Sequence, residues 1–372
     1  MSDILVSGAS VAGTAAAYWL GRHGHSVTVV ERHPGLRPGG QAIDVRGPAL
    51  TVLERMTLRA AADQRRTRMR GSSVVDRDGN EVSRDTESTP TGGLIASPDI
   101  ELLRDDLIEL LYQATELSTE YLFDDSIAAL DDDGTAVHVT FERGGARSFD
   151  LVIGADGLHS NVRRLVFGPE ERFIERLGTH AAIFTVPNFL NLDYWQMWHY
   201  GESTMAGIYS ARNNAEARAM LGFMDTDLRI DSRDTEAQFA ELERRMADEG
   251  WVRPQLLQYM RTAPDFYFDE MSQIKMDRWS KGRVALVGDA GYCCSPLSGQ
   301  GTSVALLGAY VLAGELAAAG DDYELGFANY HKEFQDYVRR NQWLVVDNIP
   351  GGAPIPQEVF ERIVASITLK DY

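Results

Sequence analysis

The chain has 372 residues, 44% of them hydrophobic, which is enough to bury a substantial core and long enough for two domains. Its 36 basic and 55 acidic residues give a formal net charge of −19, and no cluster of lysines or arginines forms a phosphate-tracking stripe. Nucleic acid and anionic membrane surfaces are therefore poor partners. The two cysteines, Cys293 and Cys294, are adjacent and cannot build a long-range disulfide framework, which favours a reducing cytoplasm.

Export, membrane and metal signals are not found in the sequence. Met1 leads directly into an apolar run, without the basic segment and cleavage site of an export signal. No uninterrupted apolar stretch approaches the roughly 18 to 20 residues that a membrane-spanning helix needs, so we expect no membrane span. The eight histidines show no metal-ligand spacing. We expect a cytoplasmic protein without a metal site.

The first 31 residues predict a βαβ unit. Residues 3–8 form a short apolar run, Ala12 to Arg22 form an alanine-rich helical segment, and Val27 to Glu31 form a second apolar run. Two such strands joined by one helix are typical of a parallel sheet.

The following segments predict further helices and strands. Pro48 begins a helix, and residues 69–97 form strands and turns with Asp78-Gly79-Asn80 at a hairpin tip. From Asp99 onward leucines recur at helical spacing, at positions 102, 103, 107, 110 and 111. A second hairpin turn at 131–134 precedes a buried strand at 151–153.

The composition changes between residues 173 and 275, which are rich in aromatic residues and methionine. We interpret this stretch as a second domain, mostly sheet, whose aromatic residues either fill the sheet core or line a wide apolar pocket. The chain then returns through a strand at 284–287 and helices from about 301 to 318 and on to about 346. A last amphipathic helix follows at 357–367.

The first chemical motif is Gly8-Ala9-Ser10-Val11-Ala12-Gly13, between a strand and a helix. In a GxGxxG turn the glycines allow the backbone to approach a pyrophosphate, which the helix N-terminus then binds. Ser10 replaces the middle glycine but is small. Glu31 stands about 20 residues later, where a ribose hydroxyl is bound. Together these features favour dinucleotide binding over an ordinary βα turn.

Two more strand–turn–helix junctions follow, at Asp156-Gly157 and at Gly288-Asp289, the latter continuing into Pro296-Leu297-Ser298-Gly299-Gln300-Gly301. Small residues at such junctions let the backbone close on a flat, phosphorylated ligand, and each junction presents one carboxylate. With these motifs the sequence resembles the class A flavoprotein monooxygenases, the family of para-hydroxybenzoate hydroxylase. It is most similar to the small two-domain members that include the tetracycline-inactivating monooxygenases.

The resemblance implies an α/β fold with a doubly wound, Rossmann-like FAD-binding domain, a second, mostly β-sheet substrate domain and a C-terminal helix. The FAD-binding domain is predicted at 1–172 and 276–350, the substrate domain at 173–275 and the C-terminal helix at 351–372. The match covers residues 3 to about 320.

The resemblance also assigns residues to the cofactor. Glu31 and Arg32 are expected near the adenosine ribose, Asp289 at the ribitol, and Arg37 as an NADPH contact. The full set of expected cofactor residues is Gly8, Ser10, Val11, Ala12, Gly13, Glu31, Arg32, Arg37, Asp44, Arg104, Asp156, Gly288, Asp289, Pro296, Gly299 and Gly301.

Several of these residues have a plainer interpretation. Asp156 also fits a helix cap, and Arg104 alone would be read as a solvated arginine on an amphipathic helix. Arg46 is the expected catalytic cation over the flavin, its alternative being a surface arginine beside a helix start. The adjacent cysteines suggest a covalent or redox role, but buried thiols are usually inert.

The activity implied by the resemblance is oxygen insertion. NADPH or NADH reduces FAD, O2 adds at the flavin C4a carbon, and the hydroperoxide hydroxylates or epoxidises the substrate. The region 173–275 has no arginine cluster to anchor a small carboxylate, since Arg212 and Arg218 lie in a stretch that reads as a solvated helix. We therefore expect a bulky aromatic or polycyclic substrate. The alternatives are a flavin reductase, an oxidative cyclase or a non-catalytic flavin-binding protein; a halogenase is disfavoured because no WxWxIP stretch is present.

Overall fold

The computed structural model describes residues 1–231, 233–347 and 352–372, so the predicted boundary between positions 350 and 351 lies outside the described residues. The strands, in chain order, are β1 (Asp3–Ser7), β2 (Ser26–Glu31), β3 (Ala42–Val45), β4 (Gly71–Val75), β5 (Glu81–Asp85), β6 (Ser88–Thr89), β7 (Gly93–Leu94), β8 (Ile100–Leu103), β9 (Glu120–Phe123), β10 (Ile127–Asp132), β11 (Val137–Phe141), β12 (Ala146–Phe149), β13 (Leu151–Gly154), β14 (Ile174–Val186), β15 (Trp195–Tyr200), β16 (Thr204–Ala211), β17 (Glu216–Met224), β18 (Tyr267–Ile274), β19 (Ser280–Lys281) and β20 (Val284–Leu286).

The helices are α1 (Val11–Arg22), α2 (Pro48–Arg55), α3 (Arg59–Gln64), α4 (Arg104–Gln113), α5 (Asn161–Val166), α6 (Thr235–Met246), α7 (Arg253–Met260), α8 (Asp289–Tyr292), α9 (Gly301–Ala319), α10 (Tyr323–Trp343) and α11 (Gln357–Val364). Short 3-10 helices lie at Glu170–Arg172, Pro296–Ser298 and Leu344–Asp347.

The first large sheet has six strands in the order β19-β20-β13-β1-β2-β9. The strands from β20 to β9 pair in parallel, and the short β19 is antiparallel at one edge. Because β1 lies in the middle and the chain adds strands on both sides of it, the sheet is doubly wound, as predicted. The apolar runs of β1 and β13 are buried, as strands of a covered parallel sheet require.

Helix α9 packs against α1, α2 and α10 in the core of this half. By length and composition α9 could cross a membrane, but 78% of its apolar window is buried inside the protein, as in the core helix of a globular domain. Glu315 interrupts the apolar sequence of α9, so the sequence alone shows no continuous apolar run here. Glu315 is buried, and Lys370 Nζ and Tyr372 Oη both donate to its Oε1 at 2.7 Å.

The second large sheet has seven strands in the order β18-β14-β17-β16-β15-β4-β5. Most of its strands come from the region predicted as sheet, but β4 and β5 come from the first segment and join through a parallel pairing of β4 with β15. Phe184 and Phe223 lie in the core between this sheet and the helices α6 and α7, so they fill the sheet core rather than line a pocket.

Two local predictions are wrong. Leu102 and Leu103 belong to strand β8 rather than to a helix, because β8 pairs with β3 and α4 begins only at Arg104. The stretch around Arg212 and Arg218 is a β-hairpin between β16 and β17, not a solvated helix. Arg218 is only 1% exposed; it lies on the face of β17 opposite the core residues Ala217 and Ala219, and its Nε donates to the Gly40 carbonyl at 3.1 Å.

Candidate functional site

The three glycine-containing junctions meet at the carboxyl ends of β1, β13 and β20. Gly8 has φ +108°, and a Cβ there would lie 2.6 Å from the carbonyl oxygen of Ala155. A Cβ at Gly288, with φ +66°, would lie 2.7 Å from the Cβ of Ala12. Segments more than a hundred residues apart in sequence therefore come together, as the motifs predicted, and glycine is required for that contact.

The N-terminus of α1 faces this junction. A Cβ at Gly13 would lie 1.8 Å from the Gly8 carbonyl oxygen, so the turn tolerates no side chain there. The Ser10 side chain makes no capping hydrogen bond to α1. The first backbone N–H groups of this 12-residue helix, at Val11, Ala12 and Gly13, are thus available to an anion such as a pyrophosphate.

Glu31, at the end of β2, stabilises the same turn through hydrogen bonds. The N–H of Ala9 donates to Glu31 Oε2 at 2.8 Å, and the N–H of His33 donates to Oε1 at 2.9 Å. A carboxylate oxygen accepts more than one hydrogen bond, so this arrangement leaves acceptor capacity for a ribose hydroxyl. Arg32, also expected near the ribose, is exposed.

Asp156 accepts hydrogen bonds at the start of α5, as its plainer interpretation as a helix cap predicts. Its Oδ2 accepts from the N–H of Val162 at 3.0 Å, and its Oδ1 accepts from the Ser160 hydroxyl. Burial raises the pKa of this carboxyl. Asp156 thereby holds the start of α5 against the turn that meets Gly8.

Asp289 begins α8, directly after Gly288 at this junction. It is exposed to solvent, yet the surrounding protein raises the pKa of its carboxyl through desolvation. Both properties belong to a group at the bottom of a cleft.

The segment after α8 leaves open space beside this cleft. Gly299, with φ +63°, ends the 3-10 helix that Pro296 begins, and a Cβ at Gly299 or Gly301 would meet no atom within 4 Å. Gln300 between them is buried, and neither its Nε2 nor its Oε1 has a hydrogen-bond partner among the residues that the structure describes. Buried unpaired amides are rare, so this one marks a place where a polar ligand fits.

Asp44 and Arg46 form a buried ion pair of 2.8 Å. Burial raises the pKa of Asp44 to about 7, although Arg46 acts in the opposite direction. The Arg46 guanidinium also donates to the Gly92 carbonyl at 3.0 Å and lies 3.4 Å from Asp99. The N–H of Arg46 donates to Ser303 Oγ at 2.9 Å, which ties this strand to the start of α9. The interpretation of Arg46 as a surface arginine is therefore wrong.

Arg104 lies close to Arg37. Arg104 donates to the Gly39 carbonyl at 3.0 Å, and its Nε is buried without a partner. Burial and the nearby Arg37 lower the pKa of Arg104 to about 10. The Arg37 guanidinium lies 4.9 Å from the ring centre of Tyr267. Arg104 is thus held inside the protein rather than solvated.

Sequence reasoning missed two polar residues near Asp44. Glu101 accepts hydrogen bonds from the hydroxyls of Thr67 and Thr91, and burial raises its pKa. The N–H of Ala42 donates to the Tyr209 hydroxyl at 2.9 Å, from the second sheet. Glu101 lies in the segment whose leucine spacing predicted a helix, and only the pairing of β3 with β8 brings it opposite Asp44.

The adjacent cysteines are free and buried. Burial, followed by the nearby Asp289, raises the pKa of Cys293 well above its usual range, and its Sγ lies 3.6 Å from the Ser272 carbonyl oxygen. A thiol that resists ionisation is a poor nucleophile. This environment favours the inert interpretation over a covalent or redox role.

The arrangement fits FAD on three observations. The start of α1 offers unpaired N–H groups, the Asp289 carboxylate lies in a cleft, and the glycines before α9 border open space that a flat ring would fill. Glu31, Asp289 and the α9 turn would then hold the ribose, ribitol and ring portions of the cofactor. FAD supplies electron transfer and oxygen activation.

Comparison with known proteins decides the family. The family model described as FAD binding domain matches residues 1–342. The chain belongs to this family. An uncharacterised protein of Mycobacterium tuberculosis is 82% identical over 100% of both chains. A flavin-dependent monooxygenase of Legionella longbeachae is 39% identical over 98% of this chain and 95% of its own length.

A solved structure agrees with these relatives. The crystal structure of the tetracycline destructase Tet(51) matches with a TM-score of 0.90 and 35% identity, over 100% of both chains. The resemblance to the class A flavoprotein monooxygenases and the predicted fold class are therefore confirmed, and the protein is an FAD-dependent oxidoreductase of the monooxygenase type.

Proposed function

We propose that the protein hydroxylates or epoxidises a bulky aromatic or polycyclic substrate with O2, using NADPH or NADH as reductant in the cytoplasm. The observation that carries the proposal is the likeness to Tet(51), which spans the whole chain, substrate sheet included. Tetracycline is a four-ring compound, and a shared substrate sheet favours a ligand of similar size.

The charges of the cleft support the same substrate class. Arg46 is paired with Asp44, and Arg218 donates to Glu216 at 2.7 Å and to the Gly40 carbonyl at 3.1 Å. An arginine already paired with a carboxylate is a weak anchor for a small acid. Arg218 is buried in a strand, not exposed on a helix as the sequence had predicted. The expectation of a bulky substrate is unchanged, because the buried Arg218 already has its own partners.

The residues of this chain would then position the reaction and exclude water. The Arg46 guanidinium lies 5.5 Å from the ring centre of Phe360 in α11, and a Cβ at Gly47 would contact Val364 at 2.8 Å. Helix α11 therefore covers Arg46 and lowers the local dielectric, which strengthens the field of this cation at the cleft. Asp44, with a pKa of about 7, can hold or release a proton there at neutral pH.

The test uses the FAD-loaded protein with NADPH, 18O2 and two substrate panels. One panel contains multi-ring phenols, quinones and tetracycline, and the other contains 4-hydroxybenzoate and salicylate. We expect NADPH oxidation stimulated by a multi-ring compound and a product heavier by one 18O atom. Hydrogen peroxide is measured in parallel, because uncoupled oxidation consumes NADPH without labelling the product.

Two outcomes would contradict the proposal. Coupled turnover of the small acids alone would refute the substrate class. A product formed without 18O, or no NADPH oxidation with either panel, would favour a reductase, a cyclase or a non-catalytic flavin-binding protein.

A further inference from the structure

A cavity of about 380 Å3 lies between α10, the segment after β18 and the start of β14. Tyr292, the last residue of α8, forms part of its wall, so the cavity abuts the short helix that Asp289 begins. None of the residues expected to bind FAD lines it. It is thus separate from the flavin cleft, and its volume falls within the range of small-molecule sites.

Three cations line this cavity in a protein whose net charge is −19: Arg172, Lys275 and Arg339. Two have only distant carboxylate neighbours, since Lys275 Nζ lies 3.9 Å from Glu175 and Arg339 lies 3.7 Å from Asp336. Arg172 donates to the Phe167 carbonyl at 3.2 Å. The lining contains one carboxylate, that of Asp277. The lining itself therefore carries three cations and one carboxylate, and the carboxylate neighbours of Lys275 and Arg339 lie outside it, beyond hydrogen-bond distance.

The wall opposite these cations is aromatic. Trp279 is 3% exposed, and its ring packs against Tyr292 at a centroid distance of 4.5 Å. His331 meets Trp279 edge-on at 4.7 Å, and its Nδ1 is buried without a hydrogen-bond partner. Burial, followed by the neighbouring Arg339 and Arg278, lowers the pKa of His331. A flat ring can pack beside these aromatic residues.

We propose that this cavity is a second small-molecule site and that its ligand is a planar aromatic anion. The aromatic ring would pack beside Trp279 and Phe173, and the carboxylate or phosphate would lie between Lys275 and Arg339. This inference is independent of the proposed oxygenation, because it rests on a separate cavity with its own charges. A free aryl carboxylate and the base-and-phosphate part of a nucleotide both have this chemistry.

The experiment titrates the FAD-loaded protein by calorimetry with 1-naphthoate, with AMP and with the uncharged 1-naphthalenemethanol. Retained FAD keeps AMP from the adenosine part of the flavin site. We expect one of the two anions to bind at one site per chain, and the neutral compound to bind at least about tenfold more weakly, since a charge-assisted hydrogen bond is lost. Binding by naphthoate identifies an aryl acid as the source, and binding by AMP identifies a nucleotide.

Matched variants locate the binding. Arg339→Gln and Lys275→Gln should each weaken the anion at least about threefold, as expected for a partly exposed charge pair. Arg340→Gln, at the adjacent exposed residue that does not line the cavity, should leave affinity unchanged. The Arg339 side chain is 68% exposed, so its replacement should preserve folding and flavin content. The proposal is overturned if neither anion binds, or if Arg339→Gln and Arg340→Gln bind equally well.

Discussion

The two large sheets build their sites by different means. At the end of the six-stranded sheet the segments pack closely at glycines, with Gly8 against the Ala155 carbonyl and Gly288 against the Ala12 methyl group. At the seven-stranded sheet and its border, the polar contacts are made by side chains such as Arg218, Tyr209 and Glu101. Because the cofactor is constant, a backbone of fixed geometry can bind it. Side chains, in contrast, can be substituted without a change in the backbone of their strand.

This difference implies that the two regions respond differently to substitution. A change at the backbone junction should remove the cofactor, and a change in the second sheet should leave FAD bound. Four experiments test that expectation, in decreasing order of expected effect.

The largest effect is expected for Gly13→Ala. The added Cβ would lie 1.8 Å from the Gly8 carbonyl oxygen, so the turn at the start of α1 must move. FAD affinity should fall at least about 100-fold, or roughly 3 kcal/mol, measured by flavin fluorescence during titration of the apoprotein. Gly21→Ala in the same helix is the control, because a Cβ there meets nothing within 4 Å. It should bind FAD normally and be more stable by up to about 1 kcal/mol. Equal loss of FAD in both variants would mean that α1 as a whole, not the close contact, is responsible.

The second test compares a buried ion pair with an exposed one. At pH 9, where Asp44 with its pKa of about 7 is ionised beside Arg46, Arg46→Met should lower the free energy of unfolding by about 2 to 3 kcal/mol, because the buried Asp44 must then stay charged without its partner or take up a proton. Arg70→Met removes a pair with Asp193 in which both side chains are about two-thirds exposed, and should cost less than about 1 kcal/mol. Urea unfolding followed by tryptophan fluorescence measures both. Similar costs for the two variants would show that Asp44 protonates at little expense when Arg46 is removed.

The third test separates the cofactor carboxylate from a carboxylate of the second sheet. Asp289→Ala should weaken FAD by about 10- to 100-fold, the loss expected for a hydrogen bond to a charged group. Asp193→Ala makes the same chemical change at an exposed position beside the second sheet. Its FAD content after gel filtration should equal that of the unchanged protein. Full flavin occupancy in Asp289→Ala would remove Asp289 from the cofactor site.

The smallest effect concerns the contact between the two regions. His159, three residues after Asp156, bonds to Asp269 in β18 and to Glu170, and these hydrogen bonds raise the pKa of His159 to about 9. A histidine whose pKa is higher in the folded state contributes full stability below about pH 6.5, and that contribution is lost as the pH rises towards 9. The difference in unfolding free energy between the unchanged protein and His159→Gln should therefore shrink over this range. Because His159 is one-third exposed, solvent screening limits the effect to about 1 kcal/mol. A difference that stays constant between pH 6 and 9 would contradict the raised pKa.

The sequence predicted the cofactor half well because its signals are local. The βαβ unit, the three junctions and Pro48 at the start of α2 each depend on residues close together in the chain. The second sheet depends on pairings between distant segments. Strand β4 joins the sheet by pairing with β15, and the Leu102 region is a strand because it pairs with β3. The periodicity of the local sequence does not predict either pairing.

The residues of the candidate site show the same difference between local signals and contacts of distant segments. The glycines indicated where the turns lie. The buried environment of Arg218 could not be predicted from the residues beside it in the sequence, since an alanine-rich stretch with charges is compatible with both a helix and a buried strand. The aromatic cavity near Trp279 was missed for a related reason, because α10 and the start of β14 lie about 160 residues apart in the sequence.

The pairing of Glu315 also has a consequence for synthesis on the ribosome. Its partners Lys370 and Tyr372 lie 55 and 57 residues later in the chain. At a translation rate of about 5 to 20 residues per second, they are made roughly 3 to 11 seconds after Glu315. During that interval α9, the apolar core helix, carries a carboxylate that cannot yet be neutralised in the interior. The core around α9 should therefore close late in synthesis, and truncation shortly before Lys370 should trap a chain that a chaperone still binds.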